Sequence, residues 1–279
     1  MKRRAAIISV LALMFSVSVS AQEADTEPLK VMSYNIRFGE GKDGTNSWQF
    51  RYLATKKMID DQMPDVFGLQ EAMAYQVLFI KEYCRSYSCV GVGREDGRKK
   101  GEHTSIFWNK KKISRLKWGT IWLSETPERP SLGWDAACFR TATWALMKDK
   151  RTGNKFYFVN THLDHKGKKA RENGLLLIMD KMSEINKKGY PVVLVGDFNM
   201  KPEDPVIIRQ DGRMDNVRKM AAKTDRKCTY NGWGKNNEIL DYIYCSGFSA
   251  YEEYSTITKK YDGRTFVSDH YPISAKLVF

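Results

Sequence analysis

The chain is 279 residues long and 42% hydrophobic, enough for a sizeable core in one large domain or two small ones. Its 46 Lys and Arg against 33 Asp and Glu give a formal net charge of +13, which suits an anionic partner: nucleic acid, anionic lipid or a phosphate-bearing substrate. The basic residues are spread along the chain, as on a well-solvated surface, and no apolar run after the N-terminus is long enough to cross a bilayer, which excludes a membrane span.

In chain order, Met1-Lys-Arg-Arg4 is a positive n-region, Ala5 to about Val19 an apolar h-region, and Ser-Val-Ser-Ala21 supplies small residues ahead of Gln22. This pattern predicts a secretory signal peptide over residues 1–21, too short and wrongly flanked for a membrane anchor. The expectation is an exported protein, periplasmic or extracellular, with 22–279 as a single monomeric domain, since no repeat or low-complexity linker interrupts it. No cysteine lies near the cleavage site to carry a lipid. Cys84, Cys89, Cys138, Cys228 and Cys245 form an odd set without zinc-type spacing, so at least one is unpaired and all read as structural.

Leu29–Ile36 alternates like a strand and carries Asn35 at its far end. Trp48–Met63 has helical spacing, with Leu53, Met58 and Ile59 inward and Pro64 closing it. Asp65–Leu69 is a short buried strand ending on Gln70-Glu71, and Ala72–Tyr83 reads as a helix. Val90–Arg94 and His103–Trp108 read as strands around a charged loop, 95–101, with Glu102 at the entrance to the second. Ile113–Leu123 has strand propensity. The Pro-, Glu- and Gly-rich stretch 124–134 is a long loop carrying Trp134, a candidate substrate platform, while Trp118 and Trp122 are expected in the core. Phe139–Met147 and Lys155–Val159 flank a turn as an antiparallel hairpin. Lys168–Lys187 is an amphipathic helix with Leu175, Ile178, Met179 and Met182 inward. Pro205–Gln210 is a short helix, and Glu238–Tyr244 and Ile273–Val278 are strands.

The stretch Pro191–Pro202 organises the rest. An apolar, β-branched run stops at Gly196, and Asp197 and Asn199 follow two residues apart. Extended backbone would put both on one side with Phe198 turned into the core. A buried strand ending in a carboxylate and a carboxamide sits where α/β proteins place chemistry, at the carboxyl edge of the sheet. Asn35 and Glu71 likewise end strands, and together make a hard-oxygen set suited to Mg²⁺. Asp241 lies in an otherwise apolar strand, where a carboxylate needs a partner.

Taken together, Ser-Tyr-Asn35-Ile-Arg, Leu-Gln-Glu71, Asn-Thr-His162-Leu-Asp, Gly-Asp197-Phe-Asn199, Asp241-Tyr-Ile and Ser-Asp269-His270-Tyr-Pro resemble the endonuclease/exonuclease/phosphatase superfamily, which includes deoxyribonuclease I. The resemblance runs in order from about residue 30 to the C-terminus. Gly-Glu-His-Thr-Ser-Ile-Phe, Trp-Leu-Ser-Glu-Thr-Pro and Thr-His-Leu-Asp-His further resemble a secreted bacterial branch of metal-dependent hydrolases.

The resemblance implies an α/β (α+β) fold of two mixed β-sheets packed face to face with helices outside. It implies phosphoester hydrolysis with Mg²⁺, or Mn²⁺ in its place. Asp197 would orient and deprotonate the attacking water, Asn199 would hold a phosphoryl oxygen, and His162 and His270 would donate to phosphoryl oxygens. It pairs His270 with Asp241 and His162 with Glu102, and adds Asp269 to the metal ligands Asn35 and Glu71. Arg140 would clamp a phosphate or serve a structural ion pair. Asp164 and His165 would touch substrate or a second metal, or else brace a loop. The expected function is a secreted Mg²⁺-dependent phosphodiesterase or phosphomonoesterase. The alternatives are a nuclease on DNA or RNA and a non-catalytic binding protein on the same scaffold.

Overall fold

The computed structural model describes residues 27–279, so the signal-peptide reading of 1–21 lies outside the described residues. The strands are β1 (Leu29–Asn35), β2 (Val66–Gln70), β3 (Tyr87–Val90), β4 (Ile106–Asn109), β5 (Ile113–Trp122), β6 (Thr141–Asp149), β7 (Lys155–His162), β8 (Val192–Asp197), β9 (Asp215–Asn216), β10 (Asp241–Ser246), β11 (Ala250–Thr256) and β12 (Ile273–Val278). The helices are α1 (Trp48–Gln62), α2 (Ala74–Tyr83), α3 (Lys168–Ile185), α4 (Pro205–Asp211) and α5 (Val217–Met220).

The strands form two six-stranded mixed sheets, ordered β11-β12-β1-β2-β4-β3 and β5-β6-β7-β8-β10-β9. Each sheet holds one parallel pair, β1 with β2 and β7 with β8, and a helix makes each crossover. Parallel strands end at the same edge. Asn35 is therefore opposite Gln70, and His162 opposite Asp197. The antiparallel strand β10 starts at that edge, with Asp241 opposite Asp197, and β12 starts beside the end of β1, so residues 268–272 arrive there too.

Period-two alternation sorts the side chains into layers. Leu29, Val31, Val66, Phe158, Val193, Val195, Ile243 and Ala275 fill the space between the sheets. Met32, Tyr34 and Phe67 face outward onto Met58, Ile59 and Ile80 of α1 and α2. Val159, Leu194 and Tyr244 face outward onto Leu175, Ile178 and Met182 of α3 and Ile207 of α4. The expected arrangement of two facing mixed sheets with helices outside is the one found.

The differences have local causes. β3 spans 87–90 instead of 90–94, because the chain turns at Gly91 (φ +134°), where a Cβ would lie 2.9 Å from Ser105 Cα. His103 makes only isolated bridges to Ala72 and Gly93, and β4 begins at Ile106. β11 has no counterpart among the sequence expectations. Its bulge between Tyr251 and Glu253 places the buried Tyr251 and Tyr254 three apart, which hides the alternation. Leu53 is exposed, and α1 buries Arg51, Ala54, Thr55, Met58 and Ile59 instead. Trp118, expected in the core, is half exposed on the edge strand β5, whereas Trp122 is buried. All five cysteines are free, Cys84 and Cys245 buried. No helix among the described residues is long and apolar enough to cross a membrane.

Candidate active site

The face that packs valines between the sheets becomes polar as it approaches the shared edge. Along β1 it runs Val31, Ser33, Asn35; along β7, Phe158, Asn160, His162; along β8, Val193, Val195, Asp197; and along β10, Cys245, Ile243, Asp241. One pleat period thus carries each strand from core to site. Where β1, β2 and β8 stop, the chain turns through the left-handed region at Arg37 (φ +66°), Glu71 (φ +61°) and Asn199 (φ +51°). Non-glycine residues adopt that conformation at a cost, and it recurs at functional sites. Asp197 and Asn199 do face one pocket as expected, with Phe198 buried in the outer core, but a turn at Asn199 puts them there and not continued extension.

Asp197 is the hub. It is buried, and its Oδ2 accepts from Asn35 Nδ2 at 3.0 Å and its Oδ1 from Asn199 N at 2.9 Å. The imidazoles of His162 and His270 approach Oδ2 at 3.5 and 3.7 Å. Burial, opposed by His270 and reinforced by the Asp241 and Glu71 carboxylates, pushes its pKa up to about 7. Glu71 accepts from Asn35 Nδ2 at 3.0 Å and from Phe38 N at 2.7 Å. Burial acts to raise it, but His270, the Asn35 amide, the Phe38 N–H and Arg37 hold it below the ordinary carboxylate range.

The two histidines differ. His270 Nδ1 donates to Asp241 Oδ2 at 2.8 Å, and although burial opposes charge, Asp241 and Asp197 push its pKa up to about 10. It is an imidazolium at neutral pH. His162 is held well below the ordinary range by burial and by Arg140 and Arg94. Its Nε2 accepts from Asn199 Nδ2 at 3.1 Å, which leaves its proton on Nδ1. Glu102, its expected partner, is 3.8 Å from that Nδ1, beyond hydrogen-bond reach, because Arg94 Nη1 holds Glu102 Oε2 at 2.7 Å. His162 is therefore neutral, and its Nε2 accepts from Asn199 where the resemblance implies a donor to phosphoryl oxygen.

The pocket around these groups, about 460 Å³, is also lined by Arg37, Phe38, Arg94, Glu102, Cys138, Arg140, His165, Tyr230 and Asp269. Arg140 is buried, donating through Nε to Asp164 at 3.3 Å and through Nη2 to His165 Nδ1 at 3.0 Å. Asp164 does not reach the pocket lining. Its oxygens accept from the backbone N–H groups of Ala137, Lys166 and Gly167, a loop brace. Trp134 is not among the lining residues either; its backbone takes a left-handed turn (φ +47°) and its N–H meets Glu125 Oε2 at 3.2 Å. Arg94 and Tyr230 were not anticipated from the sequence. Tyr230 stands 4.8 Å from the His270 ring, centre to centre, in a loop with no periodicity to announce it, and Arg94 falls in a segment that reads as strand but is loop. Arg37, whose Nη1 is 3.5 Å from Asp269 Oδ2, had a signal in the Asn35-Ile-Arg tripeptide.

The donor chemistry fits a hard divalent cation. Oxygens of Glu71 and Asp197 lie within 4.8 Å of each other and of a His162 nitrogen. Asp269 stands at the same pocket, its pKa raised by burial and by Glu71 against the pull of His270 and Arg37. Asp197 and Asp269, raised by burial and further by neighbouring carboxylates, are what a cation would relieve. Asn35 points its Nδ2, not its oxygen, at the carboxylates, while its Oδ1 accepts from Arg37 N at 3.0 Å; in this conformation it orients the ligands. Two other acidic groupings are less open. Asp241 and His270 already pair with each other, and Arg140 bridges Asp164 and His165 beside Cys138.

Comparison with known proteins shows similarity in sequence and fold. A mannosyl-6-phosphatase from Bacteroides thetaiotaomicron is 35% identical, superposes with a TM-score of 0.85, and is matched over 90% of this chain and 100% of its own. An endonuclease/exonuclease/phosphatase from Bacteroides vulgatus is 33% identical, with a TM-score of 0.85 over 89% of this chain and 98% of its own. An uncharacterised protein of Acanthamoeba polyphaga mimivirus is 25% identical over 276 residues, 88% of this chain and 98% of that protein. The family model of these folds matches residues 32–270, from the middle of β1 to the histidine paired with Asp241, and the chain belongs to the endonuclease/exonuclease/phosphatase family.

Proposed function

We propose that the protein is an exported, divalent-metal-dependent phosphoester hydrolase acting on a phosphomonoester of sugar size. The observation that carries the hydrolase reading is the convergence of four strand ends on one buried carboxylate, Asp197, flanked by a neutral and a charged histidine. Family members are phosphoester hydrolases. The sugar-sized substrate is supported by the relative that acts as a mannosyl-6-phosphatase, and by a concave pocket carrying three arginines. Cleavage of a nucleic-acid strand is the second reading, favoured by the basic net charge. A binding protein on a dead scaffold is disfavoured because no expected catalytic position is substituted.

Asp197, with a pKa near neutrality, orients an attacking water and takes its proton. Asn35 and Asn199 N hold that carboxylate in place. His270, kept charged by Asp241, donates to a phosphoryl oxygen and stabilises the developing charge. Asn199 gives its amide hydrogens to Leu163 O and His162 Nε2, so a phosphoryl oxygen would replace His162 as one acceptor. Arg37 and Arg140 supply further positive charge to the pocket. Glu71 and Asp269 would hold Mg²⁺ or Mn²⁺, which when bound neutralises phosphoryl charge as a Lewis acid.

The test is a panel of p-nitrophenyl phosphate, bis-(p-nitrophenyl) phosphate, mannose 6-phosphate, DNA and RNA, each with Mg²⁺, with Mn²⁺ and with EDTA. The expected result is phosphate release from the monoesters that stops with EDTA. Failure on every ester would reject the hydrolase. Faster cleavage of DNA or RNA would select the second reading. Export is tested separately, by cell fractionation and by an N-terminus starting at Gln22.

A further inference from the structure

We propose that Arg51, on the outer helix α1, is a positioning residue that sets the separation of the two segments carrying the proposed metal ligands. The proposal rests on the metal reading above. Arg51 is fully buried, and no carboxylate pairs with it among the described residues. Its guanidinium lies between the rings of Trp48 and Trp233, at 5.6 and 5.3 Å from their centroids. Nη1 donates to two backbone carbonyls, Ile36 O at 3.0 Å and Val267 O at 2.7 Å, and Nε donates to Asn46 O. Nη2 has no partner.

A buried guanidinium without a counter-charge is costly, and a methionine of similar length would pack under the sheet without that cost. What the guanidinium does that methionine cannot is join two remote carbonyls through one nitrogen. Ile36 lies between Asn35 and Arg37, where β1 leaves the sheet. Val267 immediately precedes Ser268-Asp269-His270. The same carbonyl accepts from Tyr34 Oη at 3.1 Å, and Tyr34 in turn meets Thr55 of α1 at 3.1 Å. Arg51 and Tyr34 thus hold the Asp269 segment against the exit of β1, which also places Asn35 against Glu71. Arg51 reaches neither the pocket nor any reacting atom; it acts through the backbone.

The experiment uses the mature chain and three variants, Arg51→Met, Arg51→Lys and Tyr34→Phe. Mn²⁺ binding is measured by calorimetry, kcat and KM are measured on p-nitrophenyl phosphate, and folding is monitored by thermal melts. Arg51→Met is expected to weaken Mn²⁺ binding and lower kcat by about tenfold or more, the range seen when groups orienting metal ligands are removed, with KM nearly unchanged. Arg51→Lys, which keeps one donor, should recover part of both, and Tyr34→Phe should shift both by a smaller factor in the same direction. A folded Arg51→Met with wild-type Mn²⁺ affinity and kcat would overturn the proposal. If that variant does not fold, Tyr34→Phe decides in its place, an unchanged affinity and kcat overturning it. A wild-type chain that binds no Mn²⁺ would remove the metal reading and this proposal with it. Binding by the wild type with no effect in the variants removes only the role of Arg51.

Discussion

The β1–α1–β2 and β7–α3–β8 units are built alike, and comparing them shows how one architecture delivers two kinds of chemistry. Each is a parallel pair with a helical crossover on the outer face, and each ends at the common edge. The second unit is conventional: α3 buries Ala170, Gly174, Leu175, Ile178 and Met182, and His162 and Asp197 are still within their strands when they meet the pocket. The first unit buries a charged residue, Arg51, and puts Arg37 and Glu71 just beyond the strands in left-handed conformation. Positions inside a ladder are fixed by the ladder itself. Positions past its end need side-chain donors to backbone carbonyls. The second unit supplies the base and the first the proposed ligand Glu71, with Asp269 arriving from the segment before β12, and the extra polar scaffolding lies on the ligand side.

The largest effect tests the second unit. Asp197→Asn should lower kcat about 10³-fold or more while the protein stays folded, because it removes the proton acceptor but retains a side chain of nearly the same shape. In EDTA its melting temperature should equal or exceed that of wild type, since the variant no longer buries a carboxylate beside Asp241 and Glu71. A folded Asp197→Asn variant with activity within tenfold of wild type would remove Asp197 from the chemistry.

The two histidines give the next test. Asp241→Asn should lower activity about 10²-fold, while Glu102→Gln, whose carboxylate serves Arg94 and not His162, should lower it less than tenfold. Because His270 is raised in the folded state, the stability its charge contributes is fully present below about pH 6.5 and lost as pH rises through about 10. In EDTA, the urea midpoint of wild type should therefore fall over that alkaline window relative to Asp241→Asn. Equal activity losses in the two variants would mean that the histidines are equivalent after all.

How much of this was legible follows from the same contrast. Asn35 and Asp197 end strands whose apolar runs are evident, whereas His162, three residues past the expected strand Lys155–Val159, and Asp241, inside the expected strand Glu238–Tyr244, were brought to the same site only by the family resemblance. Glu71, one residue past β2, was legible for the same reason as Asn35. Trp134 does not line the pocket, and its loop is aperiodic, so nothing local announces the left-handed turn at that residue. Glu102 was paired with His162 by the family resemblance alone, and its actual partner Arg94 comes from a segment that reads as strand but is loop. Arg51 falls on the buried stripe of α1, three residues after Trp48, yet a lone charge on a helix reads as solvated until its acceptors, 15 and 216 residues distant, are seen.

A smaller effect is expected where the two units meet. Asn160 of β7 accepts from Gln70 Nε2 at 2.6 Å and donates to Leu69 O at 2.8 Å and Ser105 O at 3.0 Å, while Gln70 reaches Ser33 at 3.1 Å. This polar seam replaces apolar packing between the sheets one layer below the site. Asn160→Ala takes the amide from Gln70 and leaves Leu69 O without it, while Ser105 O keeps the Leu69 N–H and Gln70 keeps Ser33, and should destabilise the fold by about 2–3 kcal/mol in urea. A loss under 1 kcal/mol would mean that water replaces the amide and that the sheets are joined by apolar contacts alone.

The smallest effect concerns the rim of the second unit, where Asp164 braces the loop after β7. Burial acts to raise this carboxyl, but the N–H groups of Gly167, Lys166 and Ala137, with Arg140, hold its pKa down to about 2. A carboxyl depressed in the folded state contributes stability above its unfolded pKa of about 3.9, and that contribution is lost as pH falls through about 2. Asp164→Asn should therefore be less stable than wild type by roughly 1–2 kcal/mol at pH 7. The gap should close as pH falls from about 4 toward 2, and activity should fall less than with Asp241→Asn, because Asp164 only steadies Arg140. A gap independent of pH would show that the loop is braced by shape and backbone and not by the charge on Asp164.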